Sequence, residues 1–188
     1  MELYQVSAGS LDAWIAEHLQ PSEEFQLQVK DTVRRICDFL KETCFDDIKV
    51  FKTVMQVTPG SKPSPQVYED LIQAGAGPGE FCTSFTELQR DFIKHCPAKL
   101  KNLLRLVKHW YKETTSGLPP KYALDLLTIY AWESGTKGAE NFSTSEGFPM
   151  VMELLCRYQE LCVYWTEFYD LQSSVIGPHV KQLLREPW

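Results

Sequence analysis

The stretch Pro97-Ala98-Lys99-Leu100-Lys101-Asn102-Leu103-Leu104-Arg105-Leu106-Val107-Lys108-His109-Trp110-Tyr111-Lys112 decides how this chain is read. At about 100° per residue, Leu100, Leu103, Leu104, Val107 and Tyr111 share one face, which predicts a core-facing stripe. Lys101, Arg105, Lys108 and Lys112 follow an i, i+4, i+7, i+11 pattern and form a second, narrow stripe. Lys99 lies about 160° from that stripe by the same geometry. The helix therefore carries cations on two sides, flanking its apolar face. Pro97 suits the first turn. The plain meaning of such a pattern is a solvated charged face. Two features argue for an anion instead. Like charges at i,i+4 repel by a few tenths of a kcal/mol per pair, and no acid on this helix precedes Glu113. Arginine binds phosphate through paired N–H donors and lysine as a point charge, so phosphate is the natural counter-ion.

Outside this block the chain is acidic. From Arg90 to Lys112 there are seven Lys/Arg and one acid, Asp91, whereas the whole chain of 188 residues carries a net charge of −6. A basic block in an acidic protein points to a localised anion-binding surface. With 44% hydrophobic and 23% charged residues, the composition is globular and excludes disorder. No apolar run approaches a membrane span, and Met1-Glu2-Leu3-Tyr4 is too polar for a signal peptide, so a cytoplasmic location is expected. The six cysteines contain no CxxC pair, and Cys37, Cys156 and Cys162 sit in apolar helical stretches. They are expected to be reduced thiols acting as small hydrophobes, without a metal site.

Helical spacing extends along most of the chain. Ser10 is a candidate N-cap for a helix to about Leu19, which Pro21 breaks. Ser22-Glu23-Glu24 opens a longer helix with Phe25, Val29, Val33, Ile36 and Leu40 on one face. Residues 48–54, with Ile48, Val50, Thr53 and Val54, read as a single strand. A turn-rich connector over 58–65 leads to a short helix over 66–73, and Gly75 to Gly79 is a second loop. Helices are then predicted over 84–95, 97–114, 120–134, 144–170 and 173–185. One strand cannot make a sheet, so the fold class is mainly α. His18, His95, His109 and His179 form no cluster, with His109 read as a packing or capping side chain. Trp110, Trp132 and Trp165 are read as core.

Three strings carry a family resemblance. They are Cys82-Thr83-Ser84-Phe85-Thr86-Glu87-Leu88-Gln89-Arg90-Asp91-Phe92, the basic helix itself, and Leu118-Pro119-Pro120-Lys121-Tyr122-Ala123-Leu124-Asp125-Leu126-Leu127-Thr128-Ile129-Tyr130-Ala131-Trp132-Glu133. Leu161-Cys162-Val163-Tyr164-Trp165-Thr166 also fits. Together they resemble the 2′-5′-oligoadenylate synthetase family, over roughly residues 3–54 and 57–185. The family consists of interferon-induced nucleotidyltransferases of antiviral innate immunity. Its members bind double-stranded RNA and join ATP into 2′-5′-linked oligoadenylates. The resemblance implies a nucleotidyltransferase-type α+β fold with a helical C-terminal lobe, of which this chain keeps only a remnant of the catalytic sheet. Residues 1–54 would be the remnant of the N-terminal lobe and 55–188 the helical lobe. Carried over by position, Arg105, Lys108, Lys121 and Tyr122 would line the nucleotide site. Lys121 stands where some members have glutamine. Arg90, Lys94 and Lys99 would meet RNA, as would the N-terminal helices from Leu11 to Leu40. Ala98 replaces a frequent threonine, which implies the loss of one hydroxyl contact to RNA. The separation of Lys99 from the Arg105 stripe fits RNA on one side and nucleotide on the other.

Nucleotidyl transfer needs two metal ions held by carboxylates, so that attacking and leaving oxygens are both stabilised. The family uses Mg, a Gly-Ser loop and three aspartates. Here the candidate Gly-Ser with a downstream carboxylate pair is Gly60-Ser61, followed by Glu69-Asp70. Adjacent residues on a strand point to opposite faces. Asp46-Asp47 is adjacent too, and reads as a turn. The resemblance therefore implies an internally deleted, C-terminally shortened form, joined near Val54-Met55-Gln56 and ending at Arg185-Glu186-Pro187-Trp188. Such a chain is expected to bind no Mg and to lack catalytic residues. The alternatives are an active ATP-polymerising enzyme and a non-enzymatic RNA-binding, dominant-negative module.

Overall fold

The structure, a computed structural model, describes residues 3–39, 65–75, 89–114, 121–161, 163–165 and 172–183. Two 3-10 turns, Leu3–Gln5 and Ala8–Ser10, lead into α1 (Leu11–His18) and α2 (Glu23–Phe39). Helix α3 (Pro65–Gln73) follows, residues 89–95 are helical, and then come α4 (Ala98–Glu113), α5 (Lys121–Thr136) and α6 (Thr144–Cys156). A 3-10 turn, Tyr158–Glu160, precedes α7 (Ile176–Leu183). Among the described residues there is no strand, and the fold is the mainly helical lobe that the spacing predicts. The expected strand over 48–54 and the proposed join lie outside the described residues.

Helix α4 is the hub. Its Leu103 and Val107 pack with Leu124, Leu127 and Ala131 of α5 and Val151 of α6. Leu100 and Leu104 join Cys96, Ile129 and Trp165 in a second cluster. Leu106 joins Trp14 and Ile15 of α1 in a third. The predicted apolar face is therefore correct but too narrow. Leu106, 1% exposed, extends the buried arc toward α1. Gly147 of α6 lies where an added Cβ would meet Leu103 at 3.1 Å and Phe142 at 3.2 Å. The missing side chain lets α6 approach α4 this closely.

Several boundaries differ from the sequence reading. Pro97 is the N-cap of α4 rather than a first-turn residue, with extended ψ of 151°. Its carbonyl accepts the first helical bond, from Lys101 N–H. Ser10 occupies the N-cap of α1, but its hydroxyl bonds Ser7 Oγ at 2.9 Å and not the helix. Ser22 does cap α2, its Oγ accepting Phe25 N–H at 3.2 Å. The single helix expected over 144–170 stops at Cys156. Arg157 caps it and turns back onto Glu160, at 2.8 and 3.0 Å. Leaving the helix here lets Trp165 return to the α4–α5 cluster, edge-on to Phe92 at 5.0 Å. Cys156 is exposed, not a buried hydrophobe, whereas Cys96 is buried with its Sγ bonded to the Phe92 carbonyl. Ser173 ties α7 to α3 by donating to Glu69 Oε1 at 2.7 Å, and its Oγ accepts the Val175 and Ile176 N–H groups.

Candidate phosphate-binding surface

The α4 cations fall on two sides, as the helical spacing requires. Lys99 faces α1. Its ammonium donates to Asp12 Oδ2, and Asp12 Oδ1 accepts Thr144 Oγ1–H at 2.6 Å. The first turns of α1, α4 and α6 thus meet at one carboxylate. Burial pushes the Asp12 carboxyl up, but the Lys99 and Thr144 hydrogen bonds and the Lys99 charge outweigh it and hold it below its ordinary value.

The opposite stripe borders α5. Lys108 donates to Asp125 Oδ2 at 3.0 Å. Burial raises the Asp125 carboxyl above its ordinary value, and the Lys108 bond and charge only partly offset this. Lys121 and Tyr122 precede Asp125 by four and three residues, so they share its face of α5. Both are exposed, Tyr122 at 40%. The Lys108–Asp125 pair sets the α4 stripe that carries Arg105 and Lys108 against the α5 face that carries Lys121 and Tyr122. Lys112, one turn beyond Lys108, is exposed on the same stripe.

Arg105 is half-buried and held in place. Its Nη1 donates to Asn102 Oδ1 at 2.9 Å, and the same oxygen accepts Gln20 Nε2–H at 3.0 Å. Lys101 turns back to cap the preceding helical residues, donating to the Lys94 carbonyl at 2.8 Å. Arg90 and Lys94 are exposed on residues 89–95. The residues expected to meet RNA are thus not equivalent. Arg90 and Lys94 are exposed, and Lys99 is half-buried in an ion pair with Asp12.

The electrostatic argument changes accordingly. No acid on α4 relieves its cations, but Asp12 and Asp125 on neighbouring helices relieve Lys99 and Lys108. Sequence reasoning missed both acids, and the Gln20–Asn102 support. Asn102 was findable, because it sits three residues before Arg105 on the same helix. Asp12 and Gln20 lie 87 and 82 residues from their partners, beyond the reach of any local pattern. His109 packs on the Trp14 ring at a centroid distance of 5.6 Å, as expected of a packing residue. Trp110 and Trp132 are half-buried. Trp132 donates Nε1–H to the Ala139 carbonyl at 2.9 Å.

Glu69 and Asp70 lie on α3, where Glu69 accepts the Ser173 hydroxyl and Asp70 accepts Gln66 Nε2–H at 2.8 Å. Among the described residues no three His, Cys, Asp or Glu side chains converge as a ligand set. No described helix is long and apolar enough to cross a membrane.

Fold and surface define the class: a helical lobe organised around one basic helix. Residues 61–188 match the family described as 2′-5′-oligoadenylate synthetase 1, domain 2, C-terminus. The chain belongs to the 2′-5′-oligoadenylate synthetase family. It is 49% identical over 149 residues to 2′-5′-oligoadenylate synthase 3 of Rattus norvegicus, covering 76% of this chain and 13% of that protein. It is 47% identical to 2′-5′-oligoadenylate synthase-like protein 2 of Mus musculus, covering 74% of this chain and 29% of that one. With synthase-like protein 1 of Rattus norvegicus the identity is 42% over 177 residues, 91% of this chain and 33% of the relative. The chain thus spans no more than about a third of the length of these relatives.

Proposed function

We propose that this chain is a non-catalytic polyanion-binding member of its family. Double-stranded RNA is held by Arg90, Lys94 and Lys99, and an adenine nucleotide by Arg105, Lys108, Lys121 and Tyr122. The observation that carries the reading is the α4/α5 seam. There the Lys108–Asp125 pair sets a basic stripe beside an exposed lysine and tyrosine. A guanidinium pre-oriented by Asn102 suits a phosphate, and an exposed aromatic ring suits a base. Family membership supports both ligands, a cytoplasmic setting and a role in antiviral defence.

The same reading makes the chain catalytically silent and Mg-free. The Glu69-Asp70 pair downstream of Gly60-Ser61 is occupied by Ser173 and Gln66, so it offers no shared face to two metal ions. Two measurements test the proposal together. Duplex RNA binding is expected to weaken as salt rises, with a log–log slope of about −0.9 per phosphate contact. Oligoadenylate synthesis with duplex RNA, ATP and Mg is expected to be nil. Synthesis abolished by Arg105→Ala would establish an active enzyme instead, and a salt-independent or undetectable RNA affinity would remove the binding half.

A further inference from the structure

Lys99, Arg105 and Lys108 are each bonded to a side chain, but the holders differ. Lys99 and Lys108 are paired with the carboxylates of Asp12 and Asp125. Arg105 Nη1 instead donates to Asn102 Oδ1 at 2.9 Å, a neutral amide oxygen. A carboxylate at that place would orient the guanidinium and cancel much of its charge. An amide orients it and leaves the charge whole for an anion. The bond uses a single guanidinium N–H and leaves the rest of the donor fork to a ligand. Fixing a long, flexible side chain before the ligand arrives also removes part of the ordering cost of binding.

Asn102 is itself held from another helix. The same Oδ1 accepts Gln20 Nε2–H at 3.0 Å, from 82 residues away along the chain. A carbonyl oxygen has two lone pairs, so both donors fit without competition. Two converging donors fix the amide, and removal of either leaves it freer to rotate. Gln20 lies just past the end of α1, on a firm base. Its N–H donates to the Ile15 carbonyl at 3.2 Å, and Ile15 is fully buried in the cluster with Leu106 of α4. Pro21 restricts the Gln20 backbone from the other side. The Pro21 carbonyl in turn accepts Gln26 Nε2–H at 3.0 Å. We propose that Gln20 and Asn102 are positioning residues that fix the Arg105 guanidinium for a nucleotide phosphate, so that the docking of α1 sets nucleotide affinity through one amide oxygen. This role rests on the reading of Arg105 as a nucleotide ligand, and extends it to two residues outside the expected set.

The test titrates ATP into the full chain by calorimetry. Arg105→Ala is expected to weaken binding about thirtyfold. Gln20→Ala and Asn102→Ala should each weaken it about threefold. The double variant should bind no more weakly than Asn102→Ala alone, because Gln20 acts through Asn102. In the Arg105→Ala background both substitutions should be silent, whereas a merely structural role would weaken binding there too. Gln20 is exposed, so the thermal transition of Gln20→Ala should match that of the parent. In the ligand-free protein, Gln20→Ala is expected to lower the NMR order parameter of Arg105 Nε–H. An ATP affinity that is undetectable, or indifferent to Arg105→Ala, would remove the nucleotide reading and the proposal with it. Binding weakened by Arg105→Ala but indifferent to Gln20→Ala and Asn102→Ala would overturn the proposal and leave that reading intact. Additive losses, losses that persist without Arg105, or an unchanged order parameter would do the same.

Discussion

Helices α2 and α4 are near twins in sequence terms and opposites in the fold. They have 17 and 16 residues, each with a clear apolar stripe and flanking charges. Helix α4 buries Leu100, Leu103, Leu104, Leu106 and Val107 against three other helices, while α2 leaves its stripe in solvent. Amphipathicity therefore states that a helix has a face to bury, and says nothing about where the cover comes from. The charges differ in the same way. On α4 the acids come from other helices, Asp12 and Asp125. On α2 they are its own, as in the Asp31–Arg34 pair at 2.7 Å.

The sharpest test of this contrast removes methyl groups from both. Leu103→Ala, in the centre of α4, should cost about 3 kcal/mol. Val33→Ala on α2 should cost under about 0.5 kcal/mol. Chemical denaturation measures both, and equal losses would break the contrast. Overfilling comes next. Gly147→Ala should destabilise by about 1–2 kcal/mol, because Leu103 and Phe142 must both shift. Gly135→Ala meets only the flexible end of Met150 and should cost less.

Asp12→Asn should cost about 1 kcal/mol near neutral pH. Because the folded carboxyl sits below its ordinary value, the contribution of Asp12 is complete above about pH 4 and fades as pH falls through the lower folded value. Parallel thermal melts of the two proteins should therefore converge in acid. The smallest effect is expected at the rim. Asp125→Asn should free Lys108 for phosphate and tighten ATP binding about threefold, and Lys112→Ala should leave folding untouched. An unchanged ATP affinity in Asp125→Asn would show that Lys108 contacts no phosphate.

Periodicity, with cap and breaker signals, located the described α-helices of the lobe and the two-sided charge of α4, because these are local consequences of 3.6 residues per turn and of the residues that end a helix. The fate of Lys99 was not legible, since its partner Asp12 is set by how α1 docks. Nor was the end of α6. The apolar pattern continues past Cys156, and only the need to seat Trp165 beside Phe92 explains the break. The Lys108–Asp125 pair follows from an α4–α5 packing that no single-helix pattern contains.

The Asp12 junction also has a consequence in time. Helices α4, α5 and α6 are neighbours along the chain, so their contacts close short loops, whereas Asp12 reaches Lys99 and Thr144 across 87 and 132 residues. Long closures are costly before any contact rewards them, so local pairings form first. Docking of α1 is then the late step of folding and its release the early step of unfolding. Stopped-flow kinetics should find Asp12→Asn accelerating unfolding with little change in the folding rate, and Leu103→Ala slowing folding.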